Sequence, residues 1–319
     1  MTEHAVGVAA RRVFLANLVL QTGIIVTGGL VRLTGSGLGC PTWPECVDGS
    51  IAPAAAQEQG WHKYVEFGNR LFTFVVLLGV IATIVAAWRQ TPRRRPLVLL
   101  AAVGLLGVVG QAVLGGITVL TGLNPFTVAA HFLLSIGLVT AAVALWRRGL
   151  DDGDGPPHSL VRDEVRWIAR GLVALGLAVI VLGTVVTGSG PHSGDADVES
   201  RFGFDARTVA WLHADAVILF IGLTVALLVA LRLTDAPAAT RRQTGVLLGV
   251  SLAQGVVGYV QSFTDLPWVV VAVHILGACL VWIAVLVLQY TLRTRDPIGG
   301  PQPSSAPTAA ANLSGAPSA

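Results

Sequence analysis

The chain has 319 residues, 53% of them hydrophobic and only 12% charged, with a formal net charge of +3. Soluble domains carry about 25% charged residues, so this composition excludes an ordinary cytosolic globule, a disordered chain and a small disulfide scaffold. The mean hydropathy of +0.71 fits a membrane protein, and at roughly 20 residues per span the length supplies eight helices.

Taken in order, apolar runs at 13–33, 64–88, 97–120, 127–146, 167–188, 208–231, 243–263 and 268–292 predict eight transmembrane helices in an all-α fold. The first run is not read as a cleaved signal peptide. It continues into Gly28-Gly-Leu-Val-Arg32 without a small-residue cleavage site. Glycines such as Gly104, Gly107 and Gly110 suit close helix packing in lipid.

The basic residues give an orientation. Most of the 21 lie in one set of loops, from Arg11 and Arg12 through Arg93–Arg95, Arg147 and Arg148 to Arg293 and Arg295. The opposite side keeps Arg32, Lys63, Arg70, Arg201 and Arg207. Both termini are therefore expected in the cytoplasm, with loops 34–62 and 189–207 outside. Charges divided among loops in this way do not form the basic face that nucleic acid requires. The predicted organisation is a cytoplasmic N-terminus (1–12), a first four-helix half (13–146), a cytoplasmic linker (147–166), a second half (167–292) and a disordered tail (293–319) rich in Pro, Ala, Ser and Gly.

An internal repeat organises the chain. Thr34-Gly-Ser-Gly37 closes the first span and Thr187-Gly-Ser-Gly190 the fifth. Gln111 precedes His131 by the same interval that separates Gln254 from His274. An even number of spans per copy restores direction, so the halves form a parallel repeat of four-helix bundles. Superposing span six on span two puts His213 on Asn69, so three of four equivalent positions are His and the fourth is Asn.

A buried intramembrane imidazole needs a partner, and a single one is readily explained as a packing hydrogen bond. Two at equal depth on helices of one bundle, His213 and His274, suit both axial positions of a heme iron that transfers electrons. The first half offers His131 opposite Asn69, and an amide is a poor iron ligand. Glu66 lies one turn above Asn69 and His62 one turn above that; Ala210 stands where a second acid would be. Glu66 suits proton transfer or pairing with Arg70 at i+4. His62 sits about 10 Å above Asn69 on the same helix, too high to oppose His131 across a flat heme.

The outer loop Gly35-Ser-Gly-Leu-Gly-Cys40-Pro-Thr-Trp-Pro-Glu-Cys46 faces an oxidising compartment, where Cys40 and Cys46 are expected to form a disulfide; free thiols are the alternative. Arg32, Arg70 and Arg201, near the outer helix ends, suit heme propionates or snorkelling to the interface. His192 reads as a loop hydrogen-bonder, and Cys279 as a small buried hydrophobe.

Together the Cys40/Cys46 loop, Glu66-Phe-Gly-Asn-Arg70, Thr187-Gly-Ser-Gly-Pro-His192 and the histidines of spans four, six and eight resemble the heme A synthase family over about residues 13–292. The resemblance implies oxidation of the C8 methyl of heme O to a formyl group, giving heme A for cytochrome c oxidase. It also implies electron supply through a resident heme b. It assigns His213 and His274 to the heme b iron, His131 to the substrate heme, Glu66 to catalysis, and Cys40 and Cys46 to the outer-loop pair. The implied partners are the farnesyltransferase that makes heme O and an unidentified electron donor. One departure stands out: the family pattern has a histidine where this chain has Asn69. His131 is then the firm ligand of the substrate iron, with an exchangeable position opposite. The competing readings are a di-heme cytochrome b electron carrier or quinol oxidase subunit, which calls for a second bis-His pair, and a transporter or heme chaperone.

Overall fold

Apolar runs longer than a bilayer core, interrupted by Pro, Gly and charged residues, leave the backbone no way to satisfy its hydrogen bonds in lipid except as helices. The computed structural model describes residues 6–192, 194, 195, 198 and 200–296. It contains α1 (Val8–Leu33), α2 (His62–Trp88), α3 (Arg95–Leu120), α4 (Pro125–Arg148), β1 (Pro157–Ser159), α5 (Asp163–Ser189), α6 (Ala206–Leu233), α7 (Ala238–Phe263), α8 (Trp268–Thr291) and β2 (Arg293–Arg295). All eight helices are long and apolar enough to cross a membrane, and the chain is a multi-pass membrane protein.

Most helices begin two to five residues before their apolar runs, because the first turn sits at the interface and accepts polar residues. Asp163 and Glu164 open α5, where the helix dipole favours acids. Asn124 accepts from the Phe126 amide and Pro125 fills the first turn of α4; Asp205 accepts from the Thr208 amide at α6.

Within the first half α1 packs on α2 and α4, α2 on α3, and α3 on α4; within the second, α5 packs on α6 and α8, α6 on α7, and α7 on α8. Each half closes as a ring, with α2 diagonal to α4 and α6 diagonal to α8. The halves meet along α1, α4, α5 and α8. The largest buried cluster lies on that seam, with Leu18, Val139, Leu172 and Val285 among its members. Trp282 Nε1 donates across it to Thr140 Oγ1 at 2.9 Å. Gly107 lies against Leu138 and Gly104 against Val80, the close approach that small residues permit. Cys279 is fully buried in the seam.

Between α1 and its neighbours in the first half, Asn17 and Gln21 are buried, with Asn17 Oδ1 and Gln21 Nε2 unpartnered among the described residues. They border a void of about 10 Å³ with Thr83, room for one water.

The segment expected to be a plain linker is tied down. Arg94, 1% exposed, donates to both carboxylate oxygens of Asp154 at 2.8 and 3.1 Å and to the carbonyls of Asp151 and Gly153. Arg148 also reaches Asp154, and Arg293 and Arg295 flank Asp151 at 3.6 Å. Arg293–Arg295, assigned from sequence to the disordered tail, instead pair antiparallel with Pro157–Ser159. The ladder and the Asp151 charge hold them where composition alone suggested none. The rest of that tail, from 297, lies outside the described residues.

Burial opposes ionisation of Asp154, but Arg94 and Arg148 hold its carboxyl below the usual range. A depressed folded-state pKa contributes stability above the unfolded value near 3.9 and loses it as pH falls through the folded value. Burial pushes Asp151 the other way, against the arginines around it, so its contribution declines as pH rises through the interval above 3.8. Protection of the β1–β2 amides, corrected for the pH dependence of intrinsic exchange, is therefore expected to fall as pH drops below the ordinary carboxylate range. Asp154→Asn should lower it already at neutral pH and flatten the acid response; unchanged protection in that variant would show the clamp to be idle.

Candidate functional site

Each of the four equivalent positions lies six or seven residues inside the N-terminus of its helix: Asn69 in α2, His131 in α4, His213 in α6 and His274 in α8. At 1.5 Å per residue that is a common depth of about 10 Å. Sequence reasoning placed this tier but missed what each side chain rests on. A Cβ at Gly115 would stand 3.2 Å from His131 Cε1, one at Gly183 3.4 Å from His213 Cε1, and one at Gly258 3.3 Å from His274 Cε1. Gly28 faces Asn69 in the same way, 3.9 Å from Nδ2. Each side chain approaches a glycine of the preceding helix of its ring, closely at Gly115 and Gly258 and at ordinary contact distance at Gly28. The signal was present in the sequence: Gly115 and Gly258 both stand 16 residues before their histidines.

In the second half His213 and His274 stand at matching depth on the diagonal helices α6 and α8. His213 Nδ1 lies 3.1 Å from the Val179 carbonyl. A carbonyl only accepts, so Nδ1 carries the proton and Nε2 keeps a bare lone pair. Such a backbone bond orients a ligating imidazole and raises its basicity. Among the described residues, His274 Nδ1 is buried without a hydrogen-bond partner. Gln254 Nε2 donates to the His274 carbonyl at 2.8 Å, and Gln111 Nε2 to the His131 carbonyl at 3.0 Å. The two glutamines thus brace the histidine-bearing backbone, not the rings. Among the described residues no group of three or more His, Cys, Asp or Glu gathers to hold a bare metal ion. A pair of diagonal imidazoles instead fits an iron whose other ligands come from a macrocycle.

The first half is built differently. His131 Nδ1 is buried and has no hydrogen-bond partner among the described residues. On the diagonal, Asn69 Oδ1 accepts from Thr27 Oγ1 at 2.7 Å. Beside them an open groove of about 320 Å³ runs between α1 and α2, walled by Leu30, Val65 and Phe72, with Thr27 and Asn69 among its polar members.

Above this tier, α2 grips the outer loop. Cys40 and Cys46 form a disulfide and both are fully buried. Glu66, 5% exposed, has both oxygens engaged: Oε2 accepts from the Cys40 amide at 2.7 Å, and Oε1 from Arg70 at 2.6 and 3.1 Å. Arg70 extends to the carbonyls of Cys40, Thr42 and Glu45, leaving none of its nitrogens idle. Lys63, buried, donates to the carbonyls of Ala54 and Ala55. His62 Nδ1 meets Ser36 Oγ at 2.9 Å and its ring stacks on Trp61. His62 therefore belongs to the loop, not to the tier of His131. Trp43 of the disulfide loop covers Gly116 of α3.

The two outer loops also join. Arg32 donates to the carbonyls of His192 and Thr187 at 2.6 and 2.8 Å, and the Gly37 amide donates to Gly194 at 2.7 Å. Leu123, at φ 57°, inserts its side chain between Gly37 and Gly194. Arg201 donates to the carbonyls of Gly190 and Pro191. Burial and the neighbouring Arg32 lower the His192 pKa.

Residues 11–193 match the profile of the COX15-CtaA family, described as cytochrome oxidase assembly protein. They include Glu66, Asn69, His131 and the disulfide loop, whereas His213 and His274 lie beyond them. The chain is 30% identical over 167 residues to a heme A synthase of Lysinibacillus sphaericus, covering 51% of this chain and 53% of that protein. It is 33% identical over 109 residues to a heme A synthase of Geobacillus kaustophilus, covering 34% and 32%. A heme A synthase of Listeria welshimeri is 31% identical over 129 residues, covering 40% and 41%. These matches span about half or less of each relative's length.

Proposed function

The chain belongs to the cytochrome oxidase assembly protein family, and from that premise we propose that it oxidises the C8 methyl of heme O to a formyl group, giving heme A for cytochrome c oxidase. The observation that carries this reading is the asymmetry of the tier. One diagonal has two imidazoles, and the other has one imidazole opposite a hydrogen-bonded amide beside an open groove. A closed electron-transfer site paired with an open substrate site is what the reaction requires.

In this reading the chain is two parallel copies of a four-helix unit, supported by the matching ring contacts and glutamine braces. The arginine distribution supports both termini lying on the cytoplasmic side of the cell membrane. His213 and His274 are the residues that would hold a resident heme b, and the Val179 carbonyl leaves His213 Nε2 as the unprotonated ring nitrogen. When bound, heme b supplies one-electron transfer. His131 holds the substrate heme from one face, and Asn69 leaves the opposite face without a strong protein ligand. The loop pinned by Glu66 and Arg70 covers the outer end of the first half and limits the access of water. Heme O arrives from the farnesyltransferase that makes it, and electrons from a separate donor.

The test is to express the chain with and without a heme O source and identify the extracted hemes by chromatography and mass. Heme A, or a hydroxylated heme O, appearing only with the source is the expected result. Heme b alone under both conditions, with reductant present, would favour a di-heme electron carrier, a reading that Asn69 already disfavours.

A further inference from the structure

We propose that the groove beside Asn69 holds the isoprenoid arm of heme O, and that Asn69 and Thr27 bind the hydroxyl at the root of that arm. The inference rests on the reading of the first half as the heme O site, and it names the feature by which that half tells its substrate from an unsubstituted heme.

The chemistry of the groove matches this arm. Heme O differs from heme B by a hydroxylated farnesyl group in place of one vinyl, so its distinguishing feature is an alcohol followed by a branched apolar chain. The groove offers the same sequence of surfaces, hydrogen-bonding side chains beside apolar walls. Thr27 Oγ1 donates to Asn69 Oδ1 and fixes the amide plane. Asn69 Nδ2 has no protein partner among the described residues, so it is free to donate to a ligand oxygen. Asparagine here replaces a metal-binding nitrogen with a hydrogen-bond donor.

The two halves differ at the groove in the required sense. In the register that sets His213 on Asn69, Leu212 falls on Gly68. Gly68 lines the groove, and a Cβ built there meets nothing within 4 Å. The second half carries a branched side chain at that position and an imidazole at the next. The half assigned to the farnesylated heme thus has a glycine at the groove where the half assigned to unsubstituted heme b has a leucine, itself 52% exposed. Tyr64, 61% exposed, borders the groove near the start of α2.

The experiment loads the full chain in lipid nanodiscs with heme B, challenges it with heme O, and identifies the retained pigments by extraction. In wild type, heme O is expected to displace one of two heme B equivalents, with a preference on the order of 100-fold. Thr27→Val and Asn69→Leu each remove a hydrogen-bonding group and should reduce that preference about tenfold. Gly68→Leu enters open space without a clash, so the protein should fold, keep both heme B equivalents and refuse heme O. Displacement that is equal in wild type, Gly68→Leu and Thr27→Val would overturn the inference, and would leave the groove to a lipid acyl chain. A wild type that binds heme B in the first half without preferring heme O would also overturn it. A wild type that binds no heme there at all would instead overturn the heme O reading itself, and this inference with it.

Discussion

His274→Ala is expected to remove one heme per chain and its low-spin absorption, while the eight-helix fold survives. His213→Ala should do the same, with a difference in rescue. The His213 ring is oriented by the Val179 carbonyl, whereas His274 Nδ1 has no hydrogen-bond partner among the described residues. Added imidazole should therefore restore low-spin character more readily in His274→Ala, where the entering ring has no backbone acceptor to meet. The heme-free variants should also melt earlier, because a group that binds only the folded chain stabilises it by mass action. Heme content, electron paramagnetic resonance and melting temperature check all three points. Retention of a full complement of low-spin heme in both variants would exclude the diagonal pair as its ligands.

Glu66→Ala is expected to unlatch the disulfide loop. It leaves the Cys40 amide and Arg70 Nε without an acceptor and the guanidinium without its counter-charge. Removing one partner of a buried pair costs about 3–5 kcal/mol, and the lower end applies because Arg70 is partly exposed. Glu66→Gln keeps an acceptor oxygen and should lose only about 1 kcal/mol. The readouts are melting temperature and the reductant concentration at which Cys40 and Cys46 become alkylated. If Glu66 also moves a proton during turnover, Glu66→Gln should lose activity while its disulfide stays protected. Loss of protection and activity in parallel across Gln and Ala would assign the residue to the loop alone.

The spans were legible because lipid leaves a long apolar run one regular structure, and all eight helices sit on their runs. Helix starts were less legible, since hydropathy measures the hydrocarbon portion and α5 begins on Asp163 and Glu164. The tier of Asn69, His131, His213 and His274 could be read because the repeat fixes it by counting. The disulfide could be read from two cysteines in one outer loop, and the structure closes it. What could not be read were contacts whose partners are main-chain carbonyls in irregular loops. Lys63 looked like one more outer cation, yet it is buried against Ala54 and Ala55. Arg32 and Arg201 looked available for propionates, yet they hold loop carbonyls. The strand pairing of Pro157–Ser159 with Arg293–Arg295 is three residues long, too short for a period to register.

The Arg32 contacts set an order for biogenesis. Its guanidinium sits at the outer end of the first span, but the carbonyls it binds belong to Thr187 and His192, more than 150 residues later. While the ribosome has delivered only four spans, that cation and the Gly37 amide have none of their final acceptors. The nascent first half therefore remains unsealed on its outer face until the fifth helix has crossed. A chain arrested before α5 would lack these acceptors for Arg32 and Gly37, so completion of this junction waits for the second half.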